Sequence, residues 1–227
     1  MTFSLTWLPQ VLGTAGLKVA LQPGWESRGR GDVGPLRGVV CHHTAGPRAG
    51  NMPSLSVVTA GRPDLEGPLA QLCLGRDGTF YVVAAGRANH AGRGSWCGIE
   101  TGNTSFVGIE AENSGQPDDP WPRVQIDAYQ RGVAAILAHV GAAADMCCGH
   151  KEYALPPGRK VDPSFDMAPF RRAVAEIMAG KSPAPPAIPP SDVLGRQTLR
   201  RPTEGDAVRW VQLRVGVAAD GSFGPNT

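Results

Sequence analysis

The chain has 227 residues, enough for one substantial core and a small appendage. Its formal net charge is +2, and its lysines and arginines form no block of the kind that tracks phosphates, so nucleic acid is not the expected partner. No apolar run reaches the roughly 18–20 residues of a membrane span, so no membrane insertion is expected.

The elements begin with a predicted amphipathic helix over Leu5–Leu17. Its apolar stretch Val11–Leu17 lacks a basic start, follows Pro9 and is flanked by Trp7 and Lys18, so it reads as a helix and not as a signal peptide. The expectation that follows is synthesis and retention in the cytoplasm until something releases the protein. Gly24–Pro35 is rich in glycine and charge and is predicted as loop. Arg37–Cys41 is a short apolar run, consistent with a buried strand.

Leu69–Leu74 and Thr79–Ala84 flank Gly75-Arg76-Asp77-Gly78, and Asp-Gly at that place predicts a hairpin. Phe106–Glu112 alternates as a strand, with Val107, Ile109 and Ala111 on one face and Glu110 and Glu112 on the other. A helix is predicted over Asp127–Ala144, with Asp127 and Gln130 as a capping box and Tyr129, Val133, Ile136, Leu137 and Val140 as its buried stripe. A short strand is expected to lead into His150, and Pro169–Met178 to close the domain as a second amphipathic helix. Together these elements predict one α/β domain over residues 1–180, a mixed central β-sheet with helices on both faces.

Lys181–Ser191 then holds five prolines, which cannot pack a core and extend as a semi-rigid spacer. A linker is placed over 181–194 and a small module over 195–227, with its own helical pattern at Val208, Val211 and Val215.

The five cysteines, at 41, 73, 97, 147 and 148, are odd in number and irregular in spacing, so free buried thiols are expected. Cys147-Cys148-Gly149-His150 invites a metal site, but no CxxC partner stands elsewhere.

The histidines carry more. His42 and His43 follow an apolar strand and point to opposite faces, so only one of them can face a site at the strand end. His150 also ends a predicted strand. A loop through Pro156-Pro157-Gly158 can fold back to set Asp162 beside it, although Asp162-Pro163 is also ordinary turn material. Two imidazoles and one carboxylate make a three-ligand zinc site with an open fourth position, as a catalytic zinc requires. Glu110 and Glu112 are either a solvated strand face or a general base beside such a metal. Lys160, two residues before Asp162, is either a solvated loop lysine or an ammonium placed to stabilise an oxyanion. His90, in Asn89-His90-Ala91-Gly92, lines a cleft or covers a surface. His139 sits on the main helix away from its apolar stripe and is read as structural or exposed.

His42-His43-Thr44-Ala45, Arg76-Asp77-Gly78, His90-Ala91-Gly92, Val107-Gly108-Ile109-Glu110 and Gly149-His150 followed by Gly158-Arg159-Lys160-Val161-Asp162-Pro163 occur in this order. The pattern resembles the zinc N-acetylmuramoyl-L-alanine amidases, which include phage endolysins, wall-recycling amidases and peptidoglycan-recognition proteins. The resemblance implies that His42, His150 and Asp162 bind Zn2+, that Glu110 is the catalytic acid/base, and that Lys160 polarises the substrate carbonyl. It places His90 in the groove near the substrate; His43 and Glu112 are expected as further substrate-binding residues. The implied partner is peptidoglycan, glycan strand plus stem peptide, met by a monomer. Gly24–Asp32 looks most like endolysins of phages infecting actinobacteria, which implies release to the wall through a separate membrane pore. Relatives often carry a His-Tyr pair where this chain has Leu69–Cys73, and Trp where it has Asn89. Gly205, Val208, Gln212, Gly216, Asp220-Gly221 and Phe223-Gly224 resemble the start of a small peptidoglycan-binding module, of which about half is absent. A recognition protein that binds without cutting, and a zinc peptidase acting within the stem peptide, are the rival expectations.

Overall fold

The structure, a computed structural model, describes residues 2–181. The module expected over 195–227 and nearly all of the linker lie outside the described residues.

The chain opens with helix α1 (Leu8–Thr14), with Pro9 in its first turn, where a missing N–H costs nothing. It stops earlier than the periodicity predicts. Gly16 takes φ +71°, its N–H meets the Gly13 carbonyl, and the Leu17 N–H meets that of Leu12. That pair of bonds is a Schellman stop. It frees Lys18–Leu21 to form β1, a strand the sequence pattern does not announce.

Strand β2 (Gly38–His43) is buried throughout and runs two residues further than expected. Helix α2 (Leu55–Ala60) and a small ribbon, β3 (Gly61–Arg62) with β4 (Leu65–Glu66), follow. The predicted hairpin is present as β5 (Leu72–Leu74) and β6 (Thr79–Val82). Asp77 closes its turn by accepting from the Thr79 N–H and hydroxyl at 2.9 and 3.0 Å. A single turn, α3 (Gly102–Ser105), leads into β7 (Phe106–Ala111).

Helix α4 (Arg123–His139) carries the expected buried stripe but starts four residues earlier than predicted. Pro122 stands at its N-cap, and Asp127 pairs with Arg131 one turn on instead of capping. Strand β8 (Cys147–Gly149) runs into α5 (His150–Tyr153), and α6 (Met167–Met178) ends the domain. Asp166 caps α6 by accepting from the Ala168 N–H.

The six-stranded sheet has the order β1-β6-β5-β7-β2-β8, antiparallel between β5 and β6 and parallel elsewhere. The mixed sheet flanked by helices is the fold the sequence predicts. Its main core lies on the face covered by α1, α4 and α6, where Val39, Cys41, Val107, Ile109 and Ala111 meet Leu8, Tyr129, Val133 and Phe170. The other face carries only the shorter helices and two small clusters. The carboxyl ends of β2, β7 and β8 lie side by side, the place where parallel sheets bind ligands. Cys41, Cys73, Cys147 and Cys148 are buried thiols and Cys97 is exposed, all of them free. Among the described residues, no helix is long and apolar enough to cross a membrane.

Candidate metal centre

Strand register brings the chemistry together. His42 pairs with Glu110 across β2 and β7, and Cys41 pairs with Gly149 across β2 and β8. Side chains at paired positions share a face, so His42, Glu110 and His150 converge at the carboxyl ends of three parallel strands. His43 turns to the opposite face, as the strand period requires.

Each position is braced. The Tyr129 hydroxyl accepts from the His42 N–H at 2.9 Å and reaches the Ile109 carbonyl at 2.8 Å, tying β2 to β7 from the core side. Glu152 accepts from the Gly149 N–H and is held by both terminal nitrogens of Arg171, which sets the start of α5 and with it His150. The loop after α5 folds back as expected: the Lys151 N–H meets the Asp162 carbonyl at 2.7 Å, and the Lys151 ammonium meets that of Phe165.

The outcome is a triangle. His42 Nδ1 and His150 Nδ1 are 3.0 Å apart, and each is 3.1 Å from Asp162 Oδ2. Four-coordinate zinc with bonds of about 2.0–2.1 Å has ligand–ligand edges of about 3.3 Å, close to these values. The donor chemistry fits as well. His150 Nε2 lies 2.9 Å from the Ala91 carbonyl, which can only accept, so its hydrogen is on Nε2 and Nδ1 carries a lone pair. Two imidazole nitrogens and a carboxylate oxygen converging on one point suit a cation there. His42, His150 and Asp162 are all buried, and they form the group among the described residues able to hold a metal ion.

Burial, and after it the adjacent His150 ring, push His42 down to about 4, so it is neutral at pH 7.

Glu110 Oε1 is 4.0 Å from His42 Nδ1, and its Oε2 is buried without a hydrogen-bond partner. Burial, with the Asp162 charge adding to it, pushes Glu110 up to about 8, although Lys160 and Arg62 pull the other way. Lys160 is half-buried, and its charge acts on both His42 and Glu110.

Three residues expected to meet substrate are placed otherwise. Glu112 is fully buried; its carboxylate accepts from the Thr44 hydroxyl, the Ser54 hydroxyl and the Ser54 N–H at 2.7–3.0 Å. It therefore ties the loop after β2 to the start of α2. Strand β7 ends at Ala111, so the period-two rule that put Glu112 beside Glu110 no longer governs it. His43 is buried against Trp121, with its Nδ1 accepting from the Ser164 N–H at 3.2 Å, which anchors the segment just beyond Asp162. His90 is buried beneath β7, with its Nδ1 3.2 Å from His42 Nε2. Sequence reasoning gave no role to Thr44, Ser54 and Asn103, whose side chains bond buried groups around the site. Each is a short polar residue of the capping type, which is the one signal in the sequence that could mark them.

A mixed sheet with two histidines and an aspartate converging at its parallel carboxyl ends, and a half-buried glutamate beside them, is an arrangement able to hold a metal ion next to a general base, as metal hydrolases do. The N-acetylmuramoyl-L-alanine amidase family matches residues 32–165, and the chain belongs to that family. AmpD, solved as a selenomethionine derivative, is 26% identical over 69% of this chain and 93% of its own, with a TM-score of 0.50. Two structures of lower sequence identity share the fold. AmiD from E. coli, solved with anhydro-N-acetylmuramic acid-L-Ala-D-gamma-Glu-L-Lys, is 19% identical over 88% of this chain and 77% of its own, at TM-score 0.51. A mutant endolysin from Bacillus subtilis is 16% identical over 70% and 99%, at 0.50. No curated protein matches the chain significantly.

Proposed function

We propose that this amidase is a zinc enzyme that hydrolyses the amide between the lactyl group of N-acetylmuramic acid and L-alanine in peptidoglycan. The observation that carries this is the triangle of His42 Nδ1, His150 Nδ1 and Asp162 Oδ2, with the Glu110 carboxyl beside it. Those three residues would hold the ion and leave a fourth position open. Bound zinc would supply Lewis acidity, polarising the scissile carbonyl and acidifying water toward a pKa of about 7.

The chain's own groups do the rest. Glu110 accepts a proton as water adds to the carbonyl carbon, and delivers it to the L-alanine nitrogen as the C–N bond breaks. A base whose pKa is near the working pH suits both transfers. The Lys160 ammonium stabilises the charge that develops on the carbonyl oxygen. Glu112, His43 and His90 act through other residues: they hold the loops and the ligand that shape the site.

We assign the enzyme a lytic role as an endolysin, acting on an actinobacterial wall after release from the cytoplasm. The family and the Gly24–Asp32 segment support this role. The proline-rich stretch 181–194 would space the catalytic domain from a wall-binding segment over 195–227.

Purified peptidoglycan digested with the full chain, with products read by mass spectrometry, tests the reaction. Stems released with free N-terminal L-alanine are the expected product. Cleavage between later stem residues would instead make the enzyme a peptidase. Binding to walls without any cleavage or stoichiometric zinc would make it a recognition protein. Glu110→Ala should retain the fold and lose lysis.

A further inference from the structure

His90 lies one layer below the metal triangle, and its surroundings dictate where its hydrogen sits. His90 Nε2 is 3.1 Å from the Phe106 carbonyl. A carbonyl has no hydrogen to give, so Nε2 of His90 donates and Nδ1 of the neutral ring is an acceptor. The atom facing that acceptor is His42 Nε2, at 3.2 Å. His42 Nε2 must then donate, and the His42 lone pair is left on Nδ1, the atom that points at His150 and Asp162.

The neighbouring residue does the same for the second imidazole. The Ala91 carbonyl accepts from His150 Nε2 at 2.9 Å and leaves that lone pair on Nδ1 as well. Residues 90 and 91 are in turn pinned by one side chain: Asn103 Oδ1 accepts from the His90 N–H at 2.9 Å and the Ala91 N–H at 2.8 Å. Room for the ring comes from Gly108, where an added Cβ would stand 2.5 Å from His90 Cγ.

We propose that His90 is a positioning residue for the metal centre: with the Ala91 carbonyl, and clamped by Asn103, it fixes the tautomer and aim of both imidazole ligands. Groups of this kind set ligand basicity and orientation, and their loss lowers metal affinity by about 10–100-fold. The Gly108 of the Val-Gly-Ile-Glu segment then has a stated purpose, which is to admit the ring that orients His42.

The proposal rests on the zinc reading above, and the two are tested separately. Stoichiometric zinc in the wild-type full chain tests the metal. Long-range proton–nitrogen NMR of the imidazoles in the metal-free chain tests the relay, whatever the zinc result. His42, His90 and His150 should all carry hydrogen on Nε2. Hydrogen on Nδ1 of His90, or none on Nε2 of His42, would overturn the proposal. The near-isosteric pair His90→Asn and His90→Leu adds a metal readout by chelator competition. Asn Oδ1 stands where Nδ1 stood and keeps the acceptor, so zinc affinity should stay within about 3-fold; Leu should lose about 10–100-fold. Equal losses in both variants, or no loss in either, would overturn it. If His90→Leu does not fold, the wild-type tautomers and the Asn variant still decide.

Discussion

Glu110 is half-buried beside the triangle with one oxygen buried and unpartnered, so replacing it with glutamine should stabilise the metal-free protein while ending turnover. Its carboxyl moves from an ordinary 4.5 to about 8 in the folded chain. Between those values the native state holds a proton that the unfolded chain has released, so stability falls as pH rises. The contribution is intact below 4.5, erodes by about 1.4 kcal/mol per pH unit, and levels off above about 8. At pH 7 the accumulated cost is about 3 kcal/mol. Glutamine does not titrate and escapes that cost. Urea denaturation of chelator-treated wild type and Glu110→Gln at pH 5, 6, 7 and 8 measures the difference directly. The two should nearly coincide in slope below pH 5 and diverge above it, with the variant ahead by about 3 kcal/mol at pH 7. Parallel stability profiles from pH 5 to 8 would refute the reasoning, because they would mean that Glu110 ionises as freely in the fold as in water. The same variant should lose at least 100-fold in amidase rate, the ordinary share of a general base.

Lys160→Met should cost about 100-fold in kcat and move the acid limb of kcat/KM to higher pH, because the lysine charge favours the Glu110 carboxylate; an unmoved limb would separate Lys160 from Glu110. Glu112→Ala should lower stability by about 3 kcal/mol or more, since it strands the Ser54 N–H and two hydroxyls in a buried place, and an unchanged urea midpoint would disprove that anchoring. Removing zinc with a chelator should lower Tm by about 10 °C, equivalent to about 4 kcal/mol for an ion held at 1,000 times its Kd, and zinc but not magnesium should restore it. Equal melting curves with and without zinc would argue against a bound ion.

Much of the fold was legible because it is written in short-range signals. The period-two run at 106–112, the Asp-Gly turn and the apolar stretch before His42 each carry their strand in consecutive residues. The elements that were missed are the short ones. Strand β1 has four residues with half-exposed sides, and α2, β3, β4 and α3 owe their existence to neighbours more than to their own pattern. Glycine at position 16 was visible, yet its role as a helix stop depends on where Leu12 and Gly13 place their carbonyls.

The site divides the same way. Which residue types carry the chemistry, and the order of His42, Glu110, His150, Lys160 and Asp162 along the chain, belong to the sequence alone, because motif order survives without coordinates. Which of two adjacent histidines faces the metal-ligand candidates is open from spacing and is decided by strand register, which pairs His42 with Glu110 and turns His43 toward Trp121. That Glu112 is an anchor and His90 a brace could not be read from composition or period. Both depend on hydrogen-bond partners at least 12 positions away in the chain: Ser54 and Thr44 for the one, His42 and Asn103 for the other. A buried polar group must find its partner wherever the fold brings one, and only the tertiary structure decides where that is.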